Sequence, residues 1–261
     1  MRIHLAIARR QSGGSRRTRR LVQAAAVGLL AATASPALAG PPYATDDPEP
    51  TDVHHWELYA FVGGERFKSG FEGASGFDIN YGAAPDLQLT ATVPLDFSRE
   101  PHSFTTGAGD LELGAKYRFF HREESGVSVA IFPRVILPTA GRRFGSGKVG
   151  LLLPVWAQKD MGDWSLFGGG GYAINPGRGN RNFVEAGAAL TRAISERLSI
   201  GAEITHESAD AKGGRGTTAL GFGGIYRLHG PFSLLAAGGP TLGPVRDGPR
   251  FNVYAALGMS F

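Results

Sequence analysis

The chain has 261 residues, of which 39 are glycine, 16 proline and none cysteine, and only 19% carry a charge. Glycine at about 15% stands at twice its usual ~7% share, while the absence of cysteine excludes disulfide scaffolds, zinc ribbons and thiol catalysis. Beyond the first 39 residues there is no run of about 18 uninterrupted apolar residues, which excludes a bundle of membrane-crossing helices.

The first 39 residues differ from the rest. They hold Arg2, Arg9, Arg10, Arg16, Arg17, Arg19 and Arg20 and no acid, then an apolar stretch from Leu21 to Ala32, then Ser35-Pro36-Ala37-Leu38-Ala39-Gly40. A basic start, a short apolar centre and a small-x-small ending predict a cleaved signal peptide over 1–39. Its removal takes away seven arginines and moves the formal charge from +4 to −3, so a nucleic-acid partner loses its support. Residues 40–53 follow, with Asp46, Asp47, Glu49 and Asp52 set among Pro48 and Pro50. They are expected to form a periplasmic N-terminal segment running extended into the first strand; a gate folded into a lumen is the alternative.

From 54 to 261 the pattern is period two. Twelve stretches, each bounded by Gly, Pro, Asn or Asp, read as strands: 54–63, 71–81, 86–97, 110–120, 126–137, 147–158, 163–174, 183–193, 198–207, 217–228, 231–240 and 250–261. Lengths near ten residues fit a tilted strand crossing a bilayer, and an even count suits a closed barrel. In the fourth stretch Leu111, Leu113, Ala115, Tyr117 and Phe119 alternate with Glu112, Gly114, Lys116 and Arg118. In the ninth, Leu198, Ile200, Ala202 and Ile204 alternate with Ser199, Gly201, Glu203 and Thr205. Acids and bases thus gather on one face, as in a barrel with a hydrated interior and an apolar outside.

Connections alternate between long (98–109, 138–146, 175–182, 208–216, 241–249) and short (121–125, 159–162, 195–197, 229–230), which places both termini at the short-turn, periplasmic end. Aromatics near strand ends, Trp56, Tyr81, Trp164, Tyr172, Tyr226 and Phe251 among them, suit the two headgroup levels. Phe261 ends the last apolar-periodic strand and resembles the signal read by the bacterial barrel-assembly machinery. Pro94, Pro133 and Pro154 fall inside strands and predict local bulges. The run Gly168 to Gly171 predicts a sharp bend or a close backbone approach.

Pro41-Pro42-Tyr43-Ala44-Thr45-Asp46-Asp47-Pro48-Glu49-Pro50, with His55-Trp56-Glu57-Leu58-Tyr59 after it, resembles the opening of outer-membrane proteins grouped with the meta-pathway of phenol degradation. Leu137-Pro138-Thr139-Ala140-Gly141, Leu153-Pro154-Val155-Trp156-Ala157-Gln158-Lys159 and Gly169-Gly170-Gly171-Tyr172-Ala173-Ile174-Asn175-Pro176-Gly177 are similar to the middle of that group. The resemblance implies a barrel channel for small solutes, aromatic ones among them, and brings no catalytic pattern.

The expectation is therefore an all-β, closed antiparallel transmembrane β-barrel of about twelve strands in the outer membrane, acting as a passive channel without cofactor or metal. Glu112, Lys116, Arg118, Arg134, Glu185, Glu203 and Arg227 are the lumen and selectivity candidates. Arg142, Arg143, Arg178, Arg181 and Arg215 form an extracellular basic rim that would draw anionic solutes or the phosphates of lipopolysaccharide. Two other readings stay open. His206 and Ser208, two apart on one strand face, are the base and nucleophile a lipid acyl hydrolase would need; or the lumen charges pair with one another in a structural barrel without transport.

Overall fold

A computed structural model describes residues 42–261 apart from 142, 146 and 243–247. The segment expected to be a signal peptide lies outside the described residues. Fourteen hydrogen-bonded strands build twelve staves, because two staves are interrupted. They are β1 (Trp56–Arg66), β2 (Phe71–Ala84), β3 (Leu87–Glu100), β4 in two pieces (Ser103–Ala108 and Leu111–Arg122), β5 in two pieces (Val127–Ile131 and Arg134–Leu137), β6 (Gly150–Met161), β7 (Trp164–Ile174), β8 (Phe183–Ala193), β9 (Leu198–Glu207), β10 (Thr217–Arg227), β11 (Phe232–Leu242) and β12 (Phe251–Ser260). The helical turn among the described residues is the 3-10 turn Glu123–Ser125.

Each stave pairs antiparallel with the next, and β1 pairs with β12 from Glu57↔Ser260 to Arg66↔Phe251, so the sheet closes on itself. The seam ends on a two-way exchange: Trp56 N donates to Phe261 O at 2.8 Å and Phe261 N to Trp56 O at 3.0 Å. Closure leaves no unpaired edge, which is the condition for β-structure in hydrocarbon.

The outward side chains are apolar. Phe77, Val93, Val155, Phe222 and Leu257 are exposed along the middle of the wall, the reverse of a soluble protein. Trp56 and Tyr81 stack with centroids 4.5 Å apart at the terminus end, while Phe71, Phe97 and Phe104 stack at the other, 5.9 and 6.4 Å apart. Two aromatic levels flank the apolar belt, as the headgroup regions of a bilayer demand. Inward, the buried side chains include Asn80, Gln88, Thr90, Lys116, Gln158, Ser165 and Thr191.

The three strand prolines sit where the ladder is already broken. Pro94 O accepts from Gly109 N at 3.0 Å, in the gap between the two pieces of β4, and Pro154 O accepts from Phe132 N at 3.1 Å, beside the gap of β5 that holds Pro133. In an antiparallel ladder the N–H and C=O of one residue point the same way. The donor each proline lacks is therefore missing opposite an irregular stretch, where no regular partner waits for it. A further register shift between Arg118 and Phe120 leaves both Phe119 and Phe120 exposed. The glycine run answers to close approach: a Cβ on Gly169 would lie 2.9 Å from the Trp156 ring, and one on Gly171 2.8 Å from Pro154 Cα.

Turns at the terminus end are short, 85–86 and 162–163 among them, and the longest connections, 138–149, 175–182 and 208–216, lie at the other. One expected loop is corrected. Residues 98–109 are largely strand, with β3 running to Glu100 and β4 starting at Ser103, because Ser98, Arg99, Phe104, Thr105 and Thr106 pair directly across a tight turn.

Candidate functional site

Residues 42–52 do not run extended away from β1, as the expectation for a periplasmic segment over 40–53 had it. They cross the lumen from the β3–β4 wall to the β7–β10 wall. Thr51 N donates to Gln88 Oε1 at 2.8 Å and the Thr51 hydroxyl to the same oxygen at 3.0 Å. Ala44 N and Thr45 N donate to the two carboxylate oxygens of Glu203 at 3.1 and 2.9 Å. The Tyr43 hydroxyl donates to Gly223 O at 2.9 Å, and its ring meets Phe167 edge-on at 6.2 Å, over Ala189. Tyr43, Thr45, Asp47, Pro48 and Thr51 are buried. Polar backbone enclosed in a barrel must be hydrogen-bonded, and the polar wall side chains supply the partners.

The acids of the segment meet the bases of β4. Lys116 Nζ lies 2.9 Å from Asp46 Oδ1 and 3.6 Å from Asp47 Oδ1. Arg118 pairs with Glu49 on the segment and with Asp86 of the β2–β3 turn at 2.7 Å. Arg134 instead pairs with wall carboxylates, Glu112 at 3.2 Å and Glu185 at 3.7 Å. Phe132 stands between two cations, 5.2 Å from Lys116 Nζ and 5.1 Å from Arg134 Cζ. Burial pushes the Asp47 carboxyl up to about 7, opposed by Lys116 and reinforced by Asp46 and Glu49.

Beside the segment a cavity of about 930 Å³ reaches down to Gly230 and Pro231 at the terminus end. Glu57, Asp78, Asn80 and Glu112 give it a polar wall; Ile225 and Leu235, packed with Tyr59, Phe61, Tyr254 and Ala256, give it an apolar one.

Six of the seven lumen candidates thus gather in two groups. Lys116, Arg118 and Glu203 hold the N-terminal segment, and Glu112, Arg134 and Glu185 hold one another. Arg227 lines the same cavity toward the terminus end, where it donates to Glu196 O at 3.0 Å. Of the rim candidates, Arg143, Arg178, Arg181 and Arg215 are exposed in the connections opposite the termini, and Arg142 lies outside the described residues. His206 and Ser208 face other partners: His206 Nδ1 is 2.8 Å from Thr218 Oγ1, and Ser208 Oγ accepts from Val184 N at 2.9 Å. Sequence reasoning missed Gln88, Phe132 and Gln158 in the lumen. Their only signal was strand parity, which names a face and not a neighbour.

No family model matches the chain, and no curated protein does. Solved structures do. An outer membrane channel from Pseudomonas putida F1 is similar with a TM-score of 0.66 at 16% identity, over 82% of this chain and 98% of that one. The fold is that of an outer-membrane barrel. The beta domain of the Bordetella autotransporter BrkA is similar with a TM-score of 0.51 at 15% identity, over 80% of this chain and 99% of that one. At such identities the likeness is one of fold.

Proposed function

We propose that the protein is an outer-membrane channel for passive uptake of small solutes, closed in this conformation by its own residues 42–52. The observation that carries the reading is the charged, hydrogen-bonding lumen inside an apolar wall. A barrel with no solute to pass could fill its interior with apolar side chains, whereas this one keeps acids, bases and amides around a cavity of about 930 Å³. The solved outer membrane channel of the same fold supports it, and so does the resemblance to the meta-pathway group, which brings aromatic or anionic solutes into view. Export by a signal peptide over 1–39, assembly through Phe261 by the barrel machinery, and lipopolysaccharide phosphate at the basic rim complete the reading.

Liposome swelling tests it. The mature protein is expected to pass small sugars slowly, and the variant Asp46→Asn, Glu49→Gln, which removes one ion pair to Lys116 and one to Arg118, to pass them faster. Baseline swelling for both would leave a structural barrel. The hydrolase reading has no support in the geometry, since His206 and Ser208 do not engage each other. Lipid A acylation is expected to be the same with Ser208→Ala as with the wild type.

A further inference from the structure

The three lumen cations of β4 and β5 are neutralised in two different ways. Both carboxylates on Arg134 belong to the wall, so that group stays balanced whatever the N-terminal segment does. Both carboxylates on Lys116 belong to the segment, as does one of the two on Arg118. The Lys116 side chain is 5% exposed. Were the segment to leave, this ammonium would lose both ion-pair partners it has among the described residues and stand at the cavity as an unpaired cation. The open state therefore presents a place where another anion can bind.

We propose that Lys116 and Arg118 form a carboxylate-binding station, that Asp46 and Glu49 occupy it as intramolecular stand-ins, and that its exchangeable ligand is a small organic carboxylate with an aromatic or apolar body. The class of the body follows from the neighbours. Phe132 lies against Lys116 at 5.2 Å, and the cavity that Lys116, Arg118 and Phe132 line has an apolar wall at Ile225 and Leu235. Its volume of about 930 Å³ is within the ~300–1,000 Å³ of small-molecule sites. Glu57 and Asp78 on the same cavity repel an anion, and Arg134 there is held by Glu112 and Glu185, which leaves the Lys116 side and, toward the terminus end, Arg227 to attract one. A ligand that binds only where the segment has left favours the released state by mass action, so solute and segment compete for one pair of cations. This deepens the channel reading and rests on it for its physiological meaning, although binding and release are measured without transport.

The chain has no cysteine, so a single Ala44→Cys, at an exposed position of the segment, carries one nitroxide. Electron spin resonance of the labelled full chain in micelles is then followed as benzoate, or its neutral isostere benzamide, is added. Benzoate is expected to raise the mobile fraction saturably and benzamide to leave it unchanged. Adding Asp46→Asn removes one competing charge-assisted contact, and the half-effect concentration of benzoate is expected to fall about tenfold. Lys116→Gln is expected to loosen the segment from the outset and abolish the benzoate response; Arg118→Gln, which keeps Lys116, is expected to shift the response to higher concentration. Equal action by benzamide, or no benzoate response in the Asp46→Asn protein, overturns the station. If benzoate frees the segment but vesicles carrying that protein show no flux, the channel reading fails and the station stands. Flux without a benzoate response sinks the station alone.

Discussion

Glu203 accepts the backbone N–H of Thr45 at 2.9 Å, and its other oxygen takes the N–H of Ala44 at 3.1 Å. One wall carboxylate thus grips the main chain of the segment that fills the lumen. Glu203→Ala leaves the enclosed Thr45 N–H without its partner and hands the exposed Ala44 N–H to water, and is expected to weaken seating by about 1–3 kcal/mol. Glu203→Gln keeps one acceptor and should cost less. Hydrogen exchange at residues 43–45, read beside exchange in the β9 ladder, separates loss of seating from loss of the barrel.

Gly187 marks the footprint of the segment on β8. A Cβ there would strike the Thr45 hydroxyl; the next atoms are Thr45 Cβ at 3.2 Å and Thr205 Cγ2 at 3.4 Å. Gly187→Ala is expected to displace the segment while changing barrel stability by no more than about 0.5 kcal/mol. The checks are single-channel conductance, which should rise, and the urea unfolding midpoint in vesicles, which should hold.

Asp47 supplies a pH dependence. Burial pushes its carboxyl up to about 7 in the seated state, whereas a released segment in water titrates near ~3.9. The seated form binds the proton more tightly. Its advantage is therefore complete below about 3.9 and lost as pH rises through about 7. Mobility of a label on residue 44 is expected to grow between about pH 4 and about pH 7, and Asp47→Asn should flatten the curve.

Phe222 sits at the centre of β10 and faces outward, 59% exposed. Phe222→Arg puts a charge in the middle of the apolar belt and is expected to cost about 2–4 kcal/mol of stability in phospholipid vesicles. Phe222→Leu should be nearly neutral. An arginine tolerated there at no cost would mean that the belt does not face hydrocarbon.

The barrel was legible because its rule is local. Period two, turn residues every ten or so positions and the parity of Glu112, Lys116 and Glu203 each need only a few neighbouring residues to be read. What was not legible depends on partners far apart in sequence. Nothing in Asp46 or Glu49 points to Lys116 and Arg118, about seventy residues on. A proline-spaced acidic stretch has the composition of an exposed lead-in, and it is Lys116 and Arg118 on the wall that hold its acids inward. The loop expected at 98–109 failed for a related reason: glycine, serine and threonine weaken a strand, yet Ser98, Thr105 and Thr106 are held in a hairpin by pairing across the turn. Proline was the better guide, since Pro94, Pro133 and Pro154 all mark real interruptions, although which strand would yield could not be read from one chain segment.

The hydrogen bonds between Trp56 and Phe261 join positions some two hundred residues apart. Every other stave can pair with a neighbour as it emerges, but this last junction waits for the final strand to arrive, and until then two open edges and a greasy outer surface are presented to water together. High contact order makes such a closing step slow, and a polypeptide in that condition aggregates readily. The bond pair that completes the wall thus also ends the stage at which the chain is most prone to stick to its neighbours.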